Sequence, residues 1–190
     1  TDDQLAQVAV KARRHGKLNP DAQFREETTI EAVKQSRPVA DPLRLFHCCP
    51  SGDGAAAVVI CSAEKARQVT STPIRVAGSE INSGRYMTGF RDMTVPEITV
   101  RGAKQLYEES GIGPEDVDLA EVHDAFAIAE LLYYEALGFC GRGEAARLLE
   151  DGETSVGGRI PVNPSGGLLS KGHPIGATGV AQIVEVVRQL

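Results

Sequence analysis

The sequence predicts an α/β fold with a layered sheet, and two observations carry that prediction. Runs of small and β-branched residues (Ala55–Cys61, Pro73–Ile81 and Asp116–Val122) alternate with stretches of helical periodicity. His123 follows the third of these runs directly, at the strand end where open α/β sheets place ligands. At 190 residues the chain is about one domain long and can bury a proper core. Its 42% hydrophobic and 24% charged content is that of a globular protein rather than a disordered one.

The elements follow in chain order. Leu5, Val8, Ala9 and Ala12 recur at helical spacing, predicting a short amphipathic helix over 3–15. It ends in Lys11, Arg13, Arg14, His15, Gly16 and Lys17. That cluster reads either as a solvated, positive helix C-terminus favoured by the macrodipole or as an anion patch for a phosphorylated ligand. Asn19–Phe24 is a proline-containing turn, and Thr28-Thr29-Ile30-Glu31 caps a short helix through Ser36. Pro42, Pro50 and Gly52 make Asp41–Asp53 irregular. Ala55–Cys61, AAAVVIC, has the composition of a strand buried on both faces.

Ser62 caps a helix over Ala63–Val69, and Pro73–Ile81 is the next strand. Residues 82–93 form a loop whose Tyr86, Met87 and Phe90 are expected to pack down on the core. Thr94, Pro96 and Glu97 start a helix that runs to Ser110 and stops at Gly111-Ile112-Gly113-Pro114. After the Asp116–Val122 strand, a long helix runs through Leu137, a short one lies within Gly141–Asp151, and Gly152–Gly158 is a loop. An apolar helix closes the chain, and it reaches Leu190 without a cap or breaker. That ending predicts a longer polypeptide.

Several function classes lose support. A net charge of −6 gives none to nucleic-acid binding. No apolar run approaches the roughly 20 residues that cross a bilayer, and the polar, acidic start TDDQLAQ is unlike a signal peptide. Cys48, Cys49, Cys61 and Cys140 form no C-x-x-C pair, so neither a zinc site nor a redox motif is indicated. They read as mostly buried thiols of a cytoplasmic protein.

Chemistry concentrates in Arg159–Leu190. Asn163, Ser165, Gly166 and Gly167 precede Gly172-His173-Pro174, and Gly176 and Gly179 flank Ala177-Thr178 at the start of the last helix. Clustered glycines let backbone approach another group closely. A helix N-terminus presents unpaired N–H groups, and histidine exchanges a proton near neutral pH. The plain alternative is a tight structural turn with a satisfied histidine. With His123 at a strand end, one imidazole can serve as general base and the other can hold a developing oxyanion or an ordered water. No nucleophile accompanies them. Cys140 is a weak candidate, and Cys48 and Cys49 read as packing residues in a turn before Pro50.

These residues resemble the thiolase superfamily, specifically the sterol-carrier-protein-x and lipid-transfer-protein thiolases with their archaeal acetoacetyl-CoA thiolase relatives. The resemblance rests on Asp41-Pro42-Leu43-Arg44-Leu45, Cys48-Cys49-Pro50 and Asp53-Gly54-Ala55-Ala56-Ala57. It extends to His123-Asp124-Ala125-Phe126, and most specifically to Asn163-Pro164-Ser165-Gly166-Gly167 followed by Gly172-His173-Pro174-Ile175-Gly176-Ala177-Thr178-Gly179. It implies a thiolase-like layered α-β-α-β-α fold, present in part. Residues 1–71 would be the loop region with the last strand and helix of the N-terminal half. Residues 72–190 would be an incomplete C-terminal half.

The resemblance also assigns roles. His173 would activate a nucleophilic cysteine that lies in the first half and is absent from this chain. His123 would stand where typical thiolases hold a water in the oxyanion hole, with Asn163, Gly172 and Gly176 supporting the oxyanion and backbone. Arg13, Arg14 and Lys17 fall in the loop region that contacts coenzyme A. The implied substrate is acyl-CoA, used without a metal, in a homo-oligomer such as a dimer.

The implied reaction is formation or thiolysis of 3-ketoacyl-CoA, and the fragment alone would be inactive. Two other functions compete. One is a thiolase-fold retro-aldolase acting on a 3-hydroxyacyl-CoA, such as one bearing a sterol side chain, with a zinc-ribbon/OB-fold partner. The other is a non-catalytic lipid-binding or scaffold subunit. The intact Gly172-His173-Pro174 favours the thiolase, because a base needs a nucleophile to activate. Ala125, where the lipid-transfer group often has cysteine, leans toward the archaeal-type subgroup.

Overall fold

A computed structural model describes residues 1–86 and 88–190. Helix α1 (Asp2–Leu18) lies between two apolar clusters. Its start is fixed by a capping box: Thr1 Oγ1 accepts from the Gln4 amide, and Gln4 Oε1 accepts from the Thr1 amino group. Ala6 and Ala9 pack on Val33 of α2 (Ile30–Gln35). Val8 and Ala12 face the larger cluster. Its other members come from α5 (Ala127–Ala136), α6 (Ala145–Glu150) and α7 (Gly167–Ser170), together with Val122, Phe139, Ile160 and Val162. Small residues on two faces let α1 sit close to its neighbours, so it is a central helix rather than the surface helix its periodicity suggests. Each of the larger buried aliphatics, such as Ile160 and Leu168, contributes about 1.5–3 kcal/mol through apolar area removed from water.

Seven helices form close to where the sequence places them, α1 and α6 among them. α2 has the Thr29 cap, and α3 (Ala63–Val69) has the Ser62 cap. α4 (Glu97–Ser110) ends at Gly111 in the left-handed conformation, φ 69°. α5 ends at Ala136, one residue short of the expected Leu137, and α8 (Ile175–Gln189) follows Pro174. Thr94 does not cap α4. Its hydroxyl and amide both bond Asp92, and the helix begins after Pro96. α7 is an extra short helix that the glycine-rich sequence did not suggest.

The strands differ most. Ala55–Cys61 carries no strand and is exposed, with Val59 at 97% and Ile60 at 79%. Pro73–Ile81 is likewise unpaired and exposed. A strand buried on both faces forms only between neighbours that complete its ladder, and among the described residues none pairs with these two. Asp116–Val122 shrinks to a single parallel bridge, Ala120 to Val162, after a 3₁₀ turn at Pro114–Asp116. At the start of the stretch expected to be irregular, β2 (Leu43–Arg44) pairs with β1 (Pro38–Ala40), just before it, in a hairpin across the cis Asp41–Pro42 bond. A 3₁₀ turn, Leu45–His47, follows it.

Tyr86 and Phe90 are also exposed rather than packed on the core, and Met87 lies outside the described residues. Cys48, Cys49 and Cys140 are half-buried and Cys61 is exposed, so none is a core thiol. No helix among the described residues is long and apolar enough to cross a membrane.

Candidate active site

Two segments run side by side toward the site. The Ala120 amide donates to the Pro161 carbonyl at 3.0 Å, and the Asn163 amide donates to the Ala120 carbonyl at 2.7 Å. Just past this rung the first segment enters His123-Asp124-Ala125-Phe126 and the second enters Pro164–Gly167.

A buried polar network holds the base of both. Lys11 Nζ lies 2.7 Å from Glu130 Oε1 and donates to the Val162 carbonyl at 2.9 Å. The Tyr134 hydroxyl donates to Glu130, whose second oxygen accepts from Asn163 Nδ2 at 2.8 Å. Asn163 Oδ1 accepts the Val122 amide at 2.8 Å, one residue before His123. Asn163 adopts φ 54°, left-handed backbone that asparagine tolerates better than most residues. Burial and the Glu130 carboxylate hold the Tyr134 phenol well above its ordinary range, so it remains a donor. His15 closes the network: its Nδ1 donates to the Asn163 carbonyl at 2.9 Å, and its Nε2 accepts the Val156 amide at 3.1 Å. Burial, then the Lys11 charge, depress its pKa to about 4. Lys11 and His15 therefore belong to the interior, not to a solvated helix end. A lysine on the apolar face of α1 and a glutamate inside the apolar stretch of α5 were the signals of a buried ion pair.

The Asp124 carboxyl, next to His123 in the chain, packs against Gly167 and Leu168. It is fully buried, its Oδ1 accepts the Leu168 amide at 2.7 Å, and its Oδ2 has no hydrogen-bond partner. Burial, then the Glu130 charge, raise its pKa and favour the protonated acid. A Cβ on Gly167 (φ 58°) would fall 2.3 Å from Asp124 Oδ2, so this approach requires glycine.

The histidine of the second loop is clamped from both sides. The Gln23 and Phe24 amides donate to the Lys171 and Ser170 carbonyls at 3.1 and 3.0 Å. A Cβ on Gly172 (φ 109°) would meet Gln23 at 2.8 Å. From α8, Gln182 Nε2 donates to the Val122 carbonyl at 2.8 Å, tying the last helix to the strand end before His123. The result brings the two imidazoles together edge to face, with ring centroids 4.9 Å apart and planes at 83°. His123 is exposed and His173 half-buried. Desolvation, then His123 and Lys171, lower the His173 pKa, so the ring is neutral at neutral pH and can accept a proton.

The remaining predicted residues fall elsewhere or play other parts. Both amide atoms of Asn163 are engaged internally, and Gly176 has open space around its Cα. The Arg13 guanidinium stacks 3.9 Å over the Phe24 ring, Lys17 pairs with Glu27 at 2.7 Å, and Arg14 is exposed. Burial, then Glu135, push the Cys140 thiol up to about 11, unsuited to a nucleophile. Cys49 donates its amide to the Ala125 carbonyl at 2.9 Å and Cys48 bridges Phe126, so the Cys48-Cys49-Pro50 turn braces the His123 loop. Thr178, Gln182, Gln23 and Asp124 are site neighbours that sequence reasoning missed, since each acts through a contact distant in the chain or hidden inside a motif.

Comparison with known proteins points to one family. The family model "Thiolase C-terminal domain-like" matches residues 78–190. The chain is 54% identical to benzoylsuccinyl-CoA thiolase subunit BbsB of Thauera aromatica, over 100% of this chain and 50% of that one. It is 49% identical to acetyl-CoA acetyltransferase of Methanothermobacter thermautotrophicus, again over 100% and 50%. Identity to sterol carrier protein 2 of Rattus norvegicus is 40%, over 99% and 36%. Among solved structures, the Ltp2-ChsH2(DUF35) aldolase superposes with a TM-score of 0.88 at 32% identity, covering 99% of this chain and 50% of that one. The chain thus spans about half the length, or less, of the relatives it matches.

Proposed function

The chain belongs to the thiolase family and has part of the α/β thiolase fold, and from that premise we propose that it supplies the histidine half of an acyl-CoA thiolase active site. The observation that carries this reading is the edge-to-face pairing of His123 with His173, 4.9 Å apart, on two loops braced from beneath. In the proposed thiolysis, His173 takes the proton of a cysteine supplied by the other half of the polypeptide. The thiolate adds to the 3-keto carbon of a 3-ketoacyl-CoA. The bond between the α and β carbons breaks, the departing enolate takes up a proton as acetyl-CoA, and an acyl-cysteine remains. The thiolate of coenzyme A then attacks the acyl-cysteine and releases the shortened acyl-CoA.

Each step puts negative charge on a thioester or ketone oxygen. Preorganised donors placed where that charge develops lower the barrier, and His123 is the proposed holder of such a donor water. Coenzyme A is read as substrate. Arg13, Arg14 and Lys17 are the proposed contacts for its phosphates, with exposed Arg14 the freest to reach them. Residues 1–71 are proposed to complete the N-terminal half, and 72–190 to form most of the C-terminal half. The exposed aliphatics of Ala55–Cys61 and Pro73–Ile81 support this, as strand-forming segments awaiting neighbours. A cytoplasmic homo-oligomer is the proposed setting.

The likeness to an aldolase favours one alternative: retro-aldol cleavage of a 3-hydroxyacyl-CoA, with a zinc-ribbon/OB-fold partner. Assaying the full-length protein on both substrates separates the two readings. CoA-dependent cleavage of a 3-ketoacyl-CoA supports the thiolase. CoA-independent release of a ketone or aldehyde from a 3-hydroxyacyl-CoA, without thiolysis, supports the lyase.

A further inference from the structure

Thr178 lies one turn into α8, 2% exposed, directly behind His173. Its Oγ1 is 2.8 Å from His173 Nδ1 and 3.0 Å from the Pro174 carbonyl. A hydroxyl has one proton to give and two lone pairs to accept with. If Thr178 gave its proton to Nδ1, its own buried lone pairs would accept nothing and one hydrogen bond would form. If it gives its proton to the Pro174 carbonyl, Nδ1–H donates to Oγ1 and two bonds form. The second arrangement also suits a ring that has gained a proton, since an imidazolium donates from both nitrogens and the first arrangement would leave two donors facing each other.

We infer that Thr178 is a positioning residue that fixes His173 as the Nδ1–H tautomer, leaving the Nε2 lone pair to take the proton of the nucleophile. The inference rests on the acyl-transfer reading for its catalytic consequence, but the tautomer follows from Thr178 and His173 alone. The hydroxyl substitutes for the carboxylate that orients the base in other nucleophile–base systems. The groups that bear on His173 from the packed elements are the His123 ring, edge on, and the Lys171 ammonium. Both disfavour a second positive charge, so a neutral acceptor behind Nδ1 stabilises the transient imidazolium without making it permanent.

The test uses the full-length protein with 15N-labelled histidine and three versions of residue 178. His173→Gln identifies the His173 signals. In the wild type, His173 is expected to show the proton on Nδ1 and an unprotonated Nε2. Thr178→Val is expected to move the proton toward Nε2 and to lower kcat for thiolysis roughly ten- to hundredfold, the range for losing a hydrogen bond to a charged group. KM should stay within about twofold and the alkaline plateau of the pH–kcat profile should shift, with Thr178→Ser restoring both. A wild-type His173 protonated on Nε2 would overturn the inference even if the valine variant failed to fold. So would a folded Thr178→Val with unchanged tautomer and kcat. An inactive wild type with His173 on Nδ1 would instead remove the acyl-transfer reading and leave the tautomer assignment standing.

Discussion

Replacing Lys11 with methionine probes the buried network at the base of the two histidine loops. The change keeps most of the aliphatic stem, so packing is nearly conserved. It removes the ammonium 2.7 Å from Glu130, where the two side chains are 4% and 0% exposed. Breaking a buried ion pair from one side leaves an uncompensated charge and costs about 3–5 kcal/mol. The lost bond from Lys11 to the Val162 carbonyl adds about 1 kcal/mol. A total of roughly 4–6 kcal/mol is a large share of the ~5–15 kcal/mol that holds a typical domain. Equilibrium urea unfolding of the full-length protein, followed by far-UV circular dichroism, reads it as a lower midpoint at unchanged slope. Adding Glu130→Gln to Lys11→Met should recover part of the loss. The amide carries no charge, yet it can still accept from Asn163 and donate to Tyr134. A Lys11→Met loss below about 1 kcal/mol, or a double variant less stable than the single one, would refute a buried, energetically coupled network.

Further outcomes are expected. The His15 pKa of about 4 lies below its unfolded value near 6.5, so the unfolded chain takes up the proton first as pH falls. The neutral ring's contribution is complete above about pH 6.5 and lost progressively toward pH 4, roughly 3 kcal/mol in all; a pH series of urea midpoints should show this slope, and His15→Gln should flatten it. Gly167→Ala combines positive φ with a clash against Asp124 Oδ2, whereas Gly111→Ala meets only open space. The first should cost more than about 2 kcal/mol and the second about 1, compared by thermal melting. Arg14→Ala should raise KM for coenzyme A roughly three- to tenfold at constant kcat, as expected for an exposed phosphate contact; an unchanged KM would remove Arg14 from the proposed CoA contacts.

The helices and the two histidine loops were legible because their signals are local. Thr29 and Ser62 cap where caps are expected, Gly111 stops α4, and the two histidine motifs carry their own glycines. The strands were not legible in the same way. Ala55–Cys61 has the right composition, but a strand exists only when its backbone groups find partners, and in this chain Val59 and Ile60 stay exposed. The positive cluster at the end of α1 misled for another reason. Charge alone suggested solvent, while Lys11 and His15 find their partners at Glu130 and Asn163, more than a hundred residues away in the chain. Of the candidate site, His123 and His173 were readable as a pair. The groups that orient them were readable only once the fold had brought α1, α5 and α8 together.

The most direct test of the central claim is CoA-dependent cleavage of a 3-ketoacyl-CoA by the full-length protein, wild type beside His173→Ala. A general base that activates a nucleophile typically contributes about 10²–10⁴-fold, so turnover by the wild type and a loss of at least ~100-fold in the variant are expected. No thiolysis by the wild type, or a variant within about threefold of it, would contradict the assignment of His173 as the base of a thiolase.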